Sequence, residues 1–166
     1  MKIDFFKRLG MLLIFLLAQV IVLGRIHLFG VATPLLYVYF LLQMPYHHAK
    51  WAVLLWGFLM GLTIDIFFNT PGVAAASMTF IAALQPYYLE FFVAKGTAEG
   101  MKPSLKTLGT QKYIYYSIPL VLLFCLTFFT LELFSFFQLT HWILCIGGSA
   151  ALTFILIISL EAAKKR

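Results

Sequence analysis

The sequence consists of long apolar runs that are separated by a few short polar stretches. Hydrophobic residues make up 63% of the 166 residues and charged residues only 11%, and the mean hydropathy is +0.97. Because a soluble domain carries about 25% charged residues, this chain has too few polar groups to cover a surface that faces water. Disorder is excluded as well, since a disordered chain combines low hydrophobicity with high charge. The composition therefore predicts a protein that folds in lipid.

Six apolar segments are candidates for helices that cross a ~30 Å hydrocarbon layer, which takes about 20 residues. The predicted helices cover residues 9–23, 31–44, 51–68, 73–93, 113–134 and 142–160. The first resembles a signal peptide, but no small-x-small cleavage site follows Gly24-Arg25, so we interpret it as a permanent anchor. The second is short and has Pro34 in its first turn, where proline is tolerated. The sequence thus predicts an all-α, polytopic membrane protein that forms one compact transmembrane domain over residues 1–166.

The positions of the basic residues indicate how these segments are oriented. With six crossings, eleven of the twelve Lys and Arg residues lie on one side of the membrane, and only Arg25 lies on the other. If the second segment were re-entrant, the split would be three inside and nine outside, which the positive-inside rule disfavours. We therefore expect both termini and the loop 94–112 to be cytoplasmic. The net charge of +6 fits this orientation and attraction to an anionic lipid bilayer, rather than nucleic-acid binding.

The third and fourth segments carry the most specific pattern of small residues. Gly57, Gly61 and Asp65 are spaced by four residues, so they share one helix face. Two glycines at this spacing allow a neighbouring helix to approach closely, and that helix belongs either to this chain or to a partner. The small residues from Gly72 to Ala76 give the fourth segment a surface that suits packing against the two glycines.

Two polar residues in these segments are candidates for a site. Asp65 is costly in a membrane helix and lies one turn before the turn Asn69-Thr70-Pro71-Gly72. We expect its carboxylate to cap the fourth helix by accepting backbone N–H bonds, with ligand or proton binding and a partner contact as the alternatives. Gln85 lies beside Pro86, where it either lines a polar pocket or bonds a backbone carbonyl that the proline kink frees.

The sequence shows no pattern that is typical of a metal, cofactor or catalytic site. His47 and His48 are adjacent on a short loop, and the other two histidines are expected on the opposite side of the membrane, so none has the spacing of metal ligands. The chain contains no HExxH, no GxSxG and no glycine-rich phosphate loop. We therefore expect no cofactor and no enzymatic activity.

The hairpin between residues 57 and 86 resembles the signature hairpin of MreD, a family of rod shape-determining membrane proteins. The resemblance is carried by Gly61-Leu-Thr-Ile-Asp65-Ile-Phe-Phe-Asn-Thr-Pro71-Gly72-Val-Ala-Ala-Ala-Ser-Met. The family is also similar to this chain in length, in its basic N-terminus and in its five or six spans. The resemblance implies a non-enzymatic scaffold of the bacterial cytoplasmic membrane that binds MreC directly. Through MreC it implies links to MreB, to RodA and to a class B penicillin-binding transpeptidase, and a role in positioning peptidoglycan synthesis and maintaining rod shape.

The same resemblance gives an expectation for the docking surface. We expect the single-pass helix of MreC to dock on the Gly57/Gly61 face or on the fourth helix, so that Gly61→Leu abolishes co-purification with MreC without affecting expression. An alternative function is vitamin-like binding, because the layout is also similar to the solute-binding subunits of energy-coupling-factor transporters. That alternative is less favoured, since the first helix offers only Ala18 where those subunits present Ala-x3-Ala, and the external loops are short.

Overall fold

The computed structural model describes residues 2–22, 33–46, 48–94, 97, 100–133 and 139–165. Every regular element in these ranges is helical, which confirms the all-α class. The elements are α1 (Lys2–Leu17) with a following π-helical turn (Ala18–Val22), α2 (Val38–Leu42), α3 (Lys50–Phe68), α4 (Val73–Glu90), α5 (Thr110–Leu133) and α6 (Leu139–Lys165). The predictions for residues 23–32 and for His47 lie outside the described residues. Apart from the second predicted helix, two ends differ from the predicted ones by more than a few residues: α1 begins at Lys2, and α6 continues past residue 160 to Lys165.

Four of the described helices are long and apolar enough to cross a membrane. They are Phe5–Val22, Lys50–Phe68, Thr110–Glu132 and Trp142–Lys164. Large apolar side chains such as Ile14, Ile66 and Ile143 lie exposed on the outward faces of these helices. Helix α4 has 18 residues but is less apolar, because Gln85 and Glu90 lie in its second half. Long helices with apolar outer faces are compatible with a membrane protein.

Helices α3 and α4 pack closely along the glycine face of α3. A Cβ atom added at Gly57 would lie 2.8 Å from the Ala82 Cβ atom, and one added at Gly61 would lie 2.5 Å from the Ala74 carbonyl oxygen and the Ala75 Cα atom. Since real Cβ atoms do not make such short contacts, the backbones approach this closely only because both residues are glycines. The helix that approaches the two glycines is therefore α4 of the same chain.

The second predicted helix, residues 31–44, is helical over only five residues in the part that the structure describes. We call residues 33–44 the buried segment, because all but the first are buried. Its first five residues are non-helical or turn backbone, and α2 follows them. The prediction of a continuous helix was therefore wrong. Pro34 has no N–H to donate, and side chains of two other helices bond the backbone groups of Thr33–Leu36 where helical bonds would be expected.

Candidate functional site

Asp65 joins the end of α3 to the start of α4. Its Oδ1 atom accepts the Thr70 hydroxyl at 2.6 Å and the Ala74 N–H at 2.9 Å, and its Oδ2 atom accepts the Ala75 N–H at 2.8 Å. The residue is 5% exposed, so these bonds replace those that water would supply. They are the bonds that the capping interpretation of Asp65 predicts. The N-cap residue itself, Gly72, has no side chain that could cap α4.

The other predicted residues of this hairpin lie on its surface. Pro71 and Gly72 are exposed in the turn, and Ala76 is exposed on the outward face of α4. Gly72 has a φ of +81°, a left-handed conformation that favours glycine. The structure thus places Gly61 and Asp65 against the start of α4 and Gly57 against its middle, and it leaves the turn and Ala76 free to face lipid or a partner.

We expect Asp65→Ala to lower the free energy of unfolding by about 2–3 kcal/mol, because it removes a helix cap and leaves two backbone N–H groups buried without a partner. Asp65→Asn keeps one acceptor but places an amide against the Ala75 N–H, so its effect should be intermediate. The measurement is the thermal midpoint of the purified protein in detergent. Glu90→Ala, which removes an exposed carboxylate of the same hairpin, is the control. An Asp65→Ala protein as stable as Glu90→Ala would contradict the capping role.

Gln19 bonds the first part of the buried segment. Its Nε2 atom donates to the Pro34 carbonyl oxygen at 2.9 Å, and its Oε1 atom accepts the Leu36 N–H at 3.0 Å. Gln19 lies in the π-helical turn at the end of α1 and is buried. Buried backbone groups that lack helical bonds need other partners, and this one side chain supplies two of them.

Two hydroxyl side chains of α6 complete the bonding of the same backbone. Ser149 accepts the Thr33 N–H at 3.0 Å, and Thr153 accepts the Leu35 N–H at 2.9 Å. Ser149 and Thr153 are spaced by four residues, so they lie on one face of α6, and both are fully buried. The buried segment is therefore fixed between α1 and α6 by specific polar contacts and not by apolar packing alone.

Glu161 is the third buried polar residue that we describe on this face of α6, and it is 2% exposed. Its Oε1 atom accepts the Tyr39 hydroxyl and the Gln43 side-chain amide, the latter at 3.2 Å, and its Oε2 atom accepts the Leu105 N–H at 3.1 Å. The Lys164 ammonium lies 4.0 Å from the same carboxylate. Glu161 thus connects α2, the loop between α4 and α5, and α6. We call Glu161, Tyr39, Gln43 and the Leu105 N–H the Glu161 cluster.

Gln85 bonds a side chain and not the carbonyl freed by Pro86. It is buried and donates to the Tyr116 hydroxyl at 2.9 Å, and this hydroxyl lies 3.3 Å from the Leu42 carbonyl oxygen, to which it donates. The expectation of a freed carbonyl was therefore wrong for Gln85. A carbonyl of this kind is present in α5, where Pro119 cannot donate to the Tyr115 carbonyl oxygen four residues before it. The Tyr88 hydroxyl donates to that oxygen at 3.1 Å.

Gln85 also lines a small polar cavity at the end of the bundle where α3 begins. The cavity has a volume of about 70 Å³, and its lining includes Tyr46, His48, Lys50 and Glu90. We call it the α3 end cavity. Gln85 thus lines a cavity together with the charged side chains of Lys50 in α3 and Glu90 in α4 and polar side chains of the loop before α3.

Four polar residues that the sequence analysis passed over are buried inside the structure. Gln19, Ser149, Thr153 and Glu161 are all buried and hydrogen-bonded. One available signal was that Gln19 is the lone polar side chain in the first predicted span. The other was that the three residues of α6 are spaced by multiples of four.

No family model, no curated protein and no solved structure matches this chain.

Proposed function

We propose that the protein is a non-enzymatic membrane scaffold of the MreD type, which binds MreC in the bacterial cytoplasmic membrane and helps to position peptidoglycan synthesis and maintain rod shape. The observation that carries the proposal is the α3–α4 hairpin. Three residues of the resemblance have a physical task there: Gly61 permits close packing, Asp65 caps α4, and Gly72 adopts the left-handed turn conformation. The pattern that resembles the family is thus also the pattern on which this hairpin depends.

The proposal includes six crossings with both termini in the cytoplasm. Thr33 contacts Ser149 and Tyr39 contacts Glu161, so the buried segment runs in the same direction as α6. The helix between Ser149 and Glu161 is about 18 Å long at 1.5 Å per residue. A segment that runs beside it over this length supports counting the buried segment as a crossing, although only α2 is helical. The distribution of Lys and Arg then favours cytoplasmic termini.

A scaffold needs a rigid shape, and the buried polar groups described above supply rigidity. Gln19, Ser149, Thr153 and Asp65 each bond backbone of the same chain. Because an unbonded backbone group costs several kcal/mol in lipid, these contacts favour a single arrangement of the helices. A single arrangement of helices presents the same outer surface to every partner molecule.

The surface proposed for MreC is the outward face of α4. The Gly57/Gly61 face cannot receive a partner helix, since α4 already fills it. Ala76, Phe80, Ala83 and Tyr87 are exposed on α4 at spacings of four, three and four, which places them in one stripe. We call it the α4 stripe. Its two alanines allow the backbone of a single-pass helix to approach, and its two aromatic rings flank that helix.

An open apolar groove borders the α4 stripe. It has a volume of about 240 Å³ and lies between α4 and α5, with a lining that includes Leu84, Tyr87, Pro119 and Leu123. Large side chains of a partner helix that lies along the stripe would fill such a groove. Packing of this kind drives helix association in lipid, where the hydrophobic effect between helices is weak.

The test is co-purification of tagged MreC with variants of the α4 stripe. Ala83→Phe puts a large ring where close approach is needed, and we expect the amount of bound MreC to fall at least tenfold, which corresponds to about 1.4 kcal/mol. Ala151→Phe, which enlarges an exposed alanine on α6, is the matched control and should retain MreC. Retention of MreC by Ala83→Phe would exclude the stripe. Absence of MreC from the unaltered protein, together with unchanged cell shape on depletion, would overturn the proposed function itself.

A further inference from the structure

Cationic and N–H donor groups from three parts of the chain meet at the α3 end cavity. Arg8 of α1 donates a hydrogen bond to Nε2 of His48, and His48 and Lys50 both line the cavity. Because Nε2 accepts a bond, the proton of the neutral ring is on Nδ1, which makes that nitrogen a donor. Burial and the Arg8 charge lower the pKa of His48, so this neutral form predominates at pH 7. Lys50 and Glu90 are the cation and the carboxylate of the lining, and Arg8 adds its positive charge beside it through the contact with His48.

The first turn of α3 adds backbone donors at the same place. The helix begins at Lys50, and its N-cap residue, Ala49, forms no side-chain capping bond. The Ala52 N–H already donates to the Ala49 carbonyl oxygen at 2.9 Å, so the N–H groups of Lys50 and Trp51 are the ones left without a partner within the helix. They lie at the positive end of the helix dipole. An anion at this position would therefore accept bonds from both the backbone and the side chains.

Aromatic side chains around the cavity indicate its depth in a bilayer. Trp51 is 70% exposed and Phe91 is 84% exposed, and both lie within one helical turn of residues that line the cavity. Tyr87 is also exposed, and the Lys50 ammonium lies 3.8 Å from the centre of its ring. Exposed Trp and Tyr side chains are enriched at the headgroup level of membranes. The α3 end cavity is thus placed where the phosphates of lipids lie.

We propose that the α3 end cavity binds the phosphate of an anionic phospholipid, with Lys50, His48 and the first N–H groups of α3 as donors. Arg8 orients the His48 ring and adds positive charge. In the part of the chain that the structure describes, Lys50 and the nearby Arg8 face the carboxylate of Glu90, and this balance favours a lipid with net negative charge over phosphatidylcholine. The exposed apolar side chains of Trp51 and Leu55, on successive turns of α3, provide the surface on which the acyl chains lie. This inference rests on the position of the chain in a bilayer and not on MreC.

The experiment measures lipid binding to the delipidated full-length protein in detergent. Phosphatidylglycerol should raise the thermal midpoint with a saturable dependence on its concentration, and phosphatidylcholine should not. Lys50→Gln should weaken the apparent affinity for phosphatidylglycerol about fivefold, the effect of removing one cation near the surface. Native mass spectrometry of the same samples should show about one retained phosphatidylglycerol molecule fewer for this variant.

The matched control is Lys106→Gln, which removes one exposed lysine from the loop 94–112. This variant should bind phosphatidylglycerol as the unaltered protein does, and Arg8→Lys should retain most of the affinity because it keeps the charge. Equal weakening by Lys50→Gln and Lys106→Gln would show diffuse attraction and would overturn the proposal. An equal rise in the thermal midpoint with phosphatidylcholine, or with inorganic phosphate alone, would overturn the assignment to an anionic lipid.

Discussion

Gly61→Ala is expected to lower the free energy of unfolding by about 3 kcal/mol, the upper part of the range for overpacked cores, although alanine is the better helix former. The added Cβ atom would lie 2.5 Å from the Ala74 carbonyl oxygen and from the Ala75 Cα atom. Both are backbone atoms of α4, so a rotamer change cannot relieve the contact and the whole helix has to move. Movement of α4 also strains the bonds from Asp65, which accepts the N–H groups of the same two residues. The measurement is the thermal midpoint of the purified protein in detergent.

Gly147→Ala is the matched control, since it makes the same chemical change within α6. Among the described residues, no atom outside the neighbouring backbone of α6 lies within 4 Å of a Cβ added at Gly147. Alanine should therefore stabilise α6 by up to about 1 kcal/mol through its helix propensity. The two substitutions are thus expected to change the stability in opposite directions. A shift of the same sign and size in both variants would contradict the close packing of α3 on α4.

The packing at Gly61 also changes the meaning of the leucine substitution. Gly61→Leu was expected to abolish co-purification with MreC and to leave expression intact. The structure places α4 against Gly61, so we expect leucine there to prevent the hairpin from packing. Loss of MreC from this variant would then reflect misfolding and would not identify a docking surface. The α4 stripe provides a test that leaves the packing of α3 on α4 intact, because the Ala83 side chain is exposed on the outward face of α4.

The α3–α4 hairpin was predictable because its determinants are local in sequence. Gly57, Gly61 and Asp65 are spaced by four residues, and the helix that they contact follows after a short turn. Short connections place consecutive helices side by side, so a small-residue face on one helix and a small-residue start on the next indicate their contact. The capping role of Asp65 followed from its position one turn before the turn that leads into α4. No long-range information was needed for any of these inferences.

The buried segment was not predictable in the same way, because its structure depends on distant residues. An apolar run with Pro34 near its start fits a helix as well as it fits buried extended backbone. The hydrogen bonds that decide between them come from Ser149 and Thr153, which are 116 and 118 residues away from their partners. Polar residues inside apolar runs were the available signal, but their partners follow only from the three-dimensional arrangement.

Glu161 was overlooked because the predicted sixth helix ends at residue 160 and a basic tail follows it. A glutamate beside lysines at a helix end has the appearance of a solvated residue. In the structure α6 continues to Lys165, and Glu161 continues the face of Ser149 and Thr153. Whether Glu161 belongs to the buried face thus depends on where α6 ends. Apolar composition determines the ends of helices poorly.

Glu161→Ala is expected to lower the free energy of unfolding by about 3–5 kcal/mol, as when one partner is removed from a buried charged group. The Tyr39 hydroxyl, the Gln43 amide and the Leu105 N–H would each lose an acceptor in a buried position. Each donor that is left unbonded adds about 1–3 kcal/mol, so the cost exceeds that of a single surface contact. The thermal midpoint of the purified protein measures the loss, and Glu90→Ala, an exposed carboxylate, should leave it nearly unchanged.

Glu161→Gln separates the two halves of the Glu161 cluster. The variant keeps an oxygen for Tyr39 and Gln43, which both donate to Oε1, but it places an amide where Oε2 accepts the Leu105 N–H. We therefore expect α2 to remain in place while the loop at Leu105 separates from α6. Lys106 is exposed directly beside Leu105, so trypsin cleavage after Lys106 should become roughly tenfold faster, as expected for the loss of one hydrogen bond to a charged group. Because local opening precedes cleavage, a rate equal to that of Glu90→Gln would show that Glu161 does not hold the loop against α6.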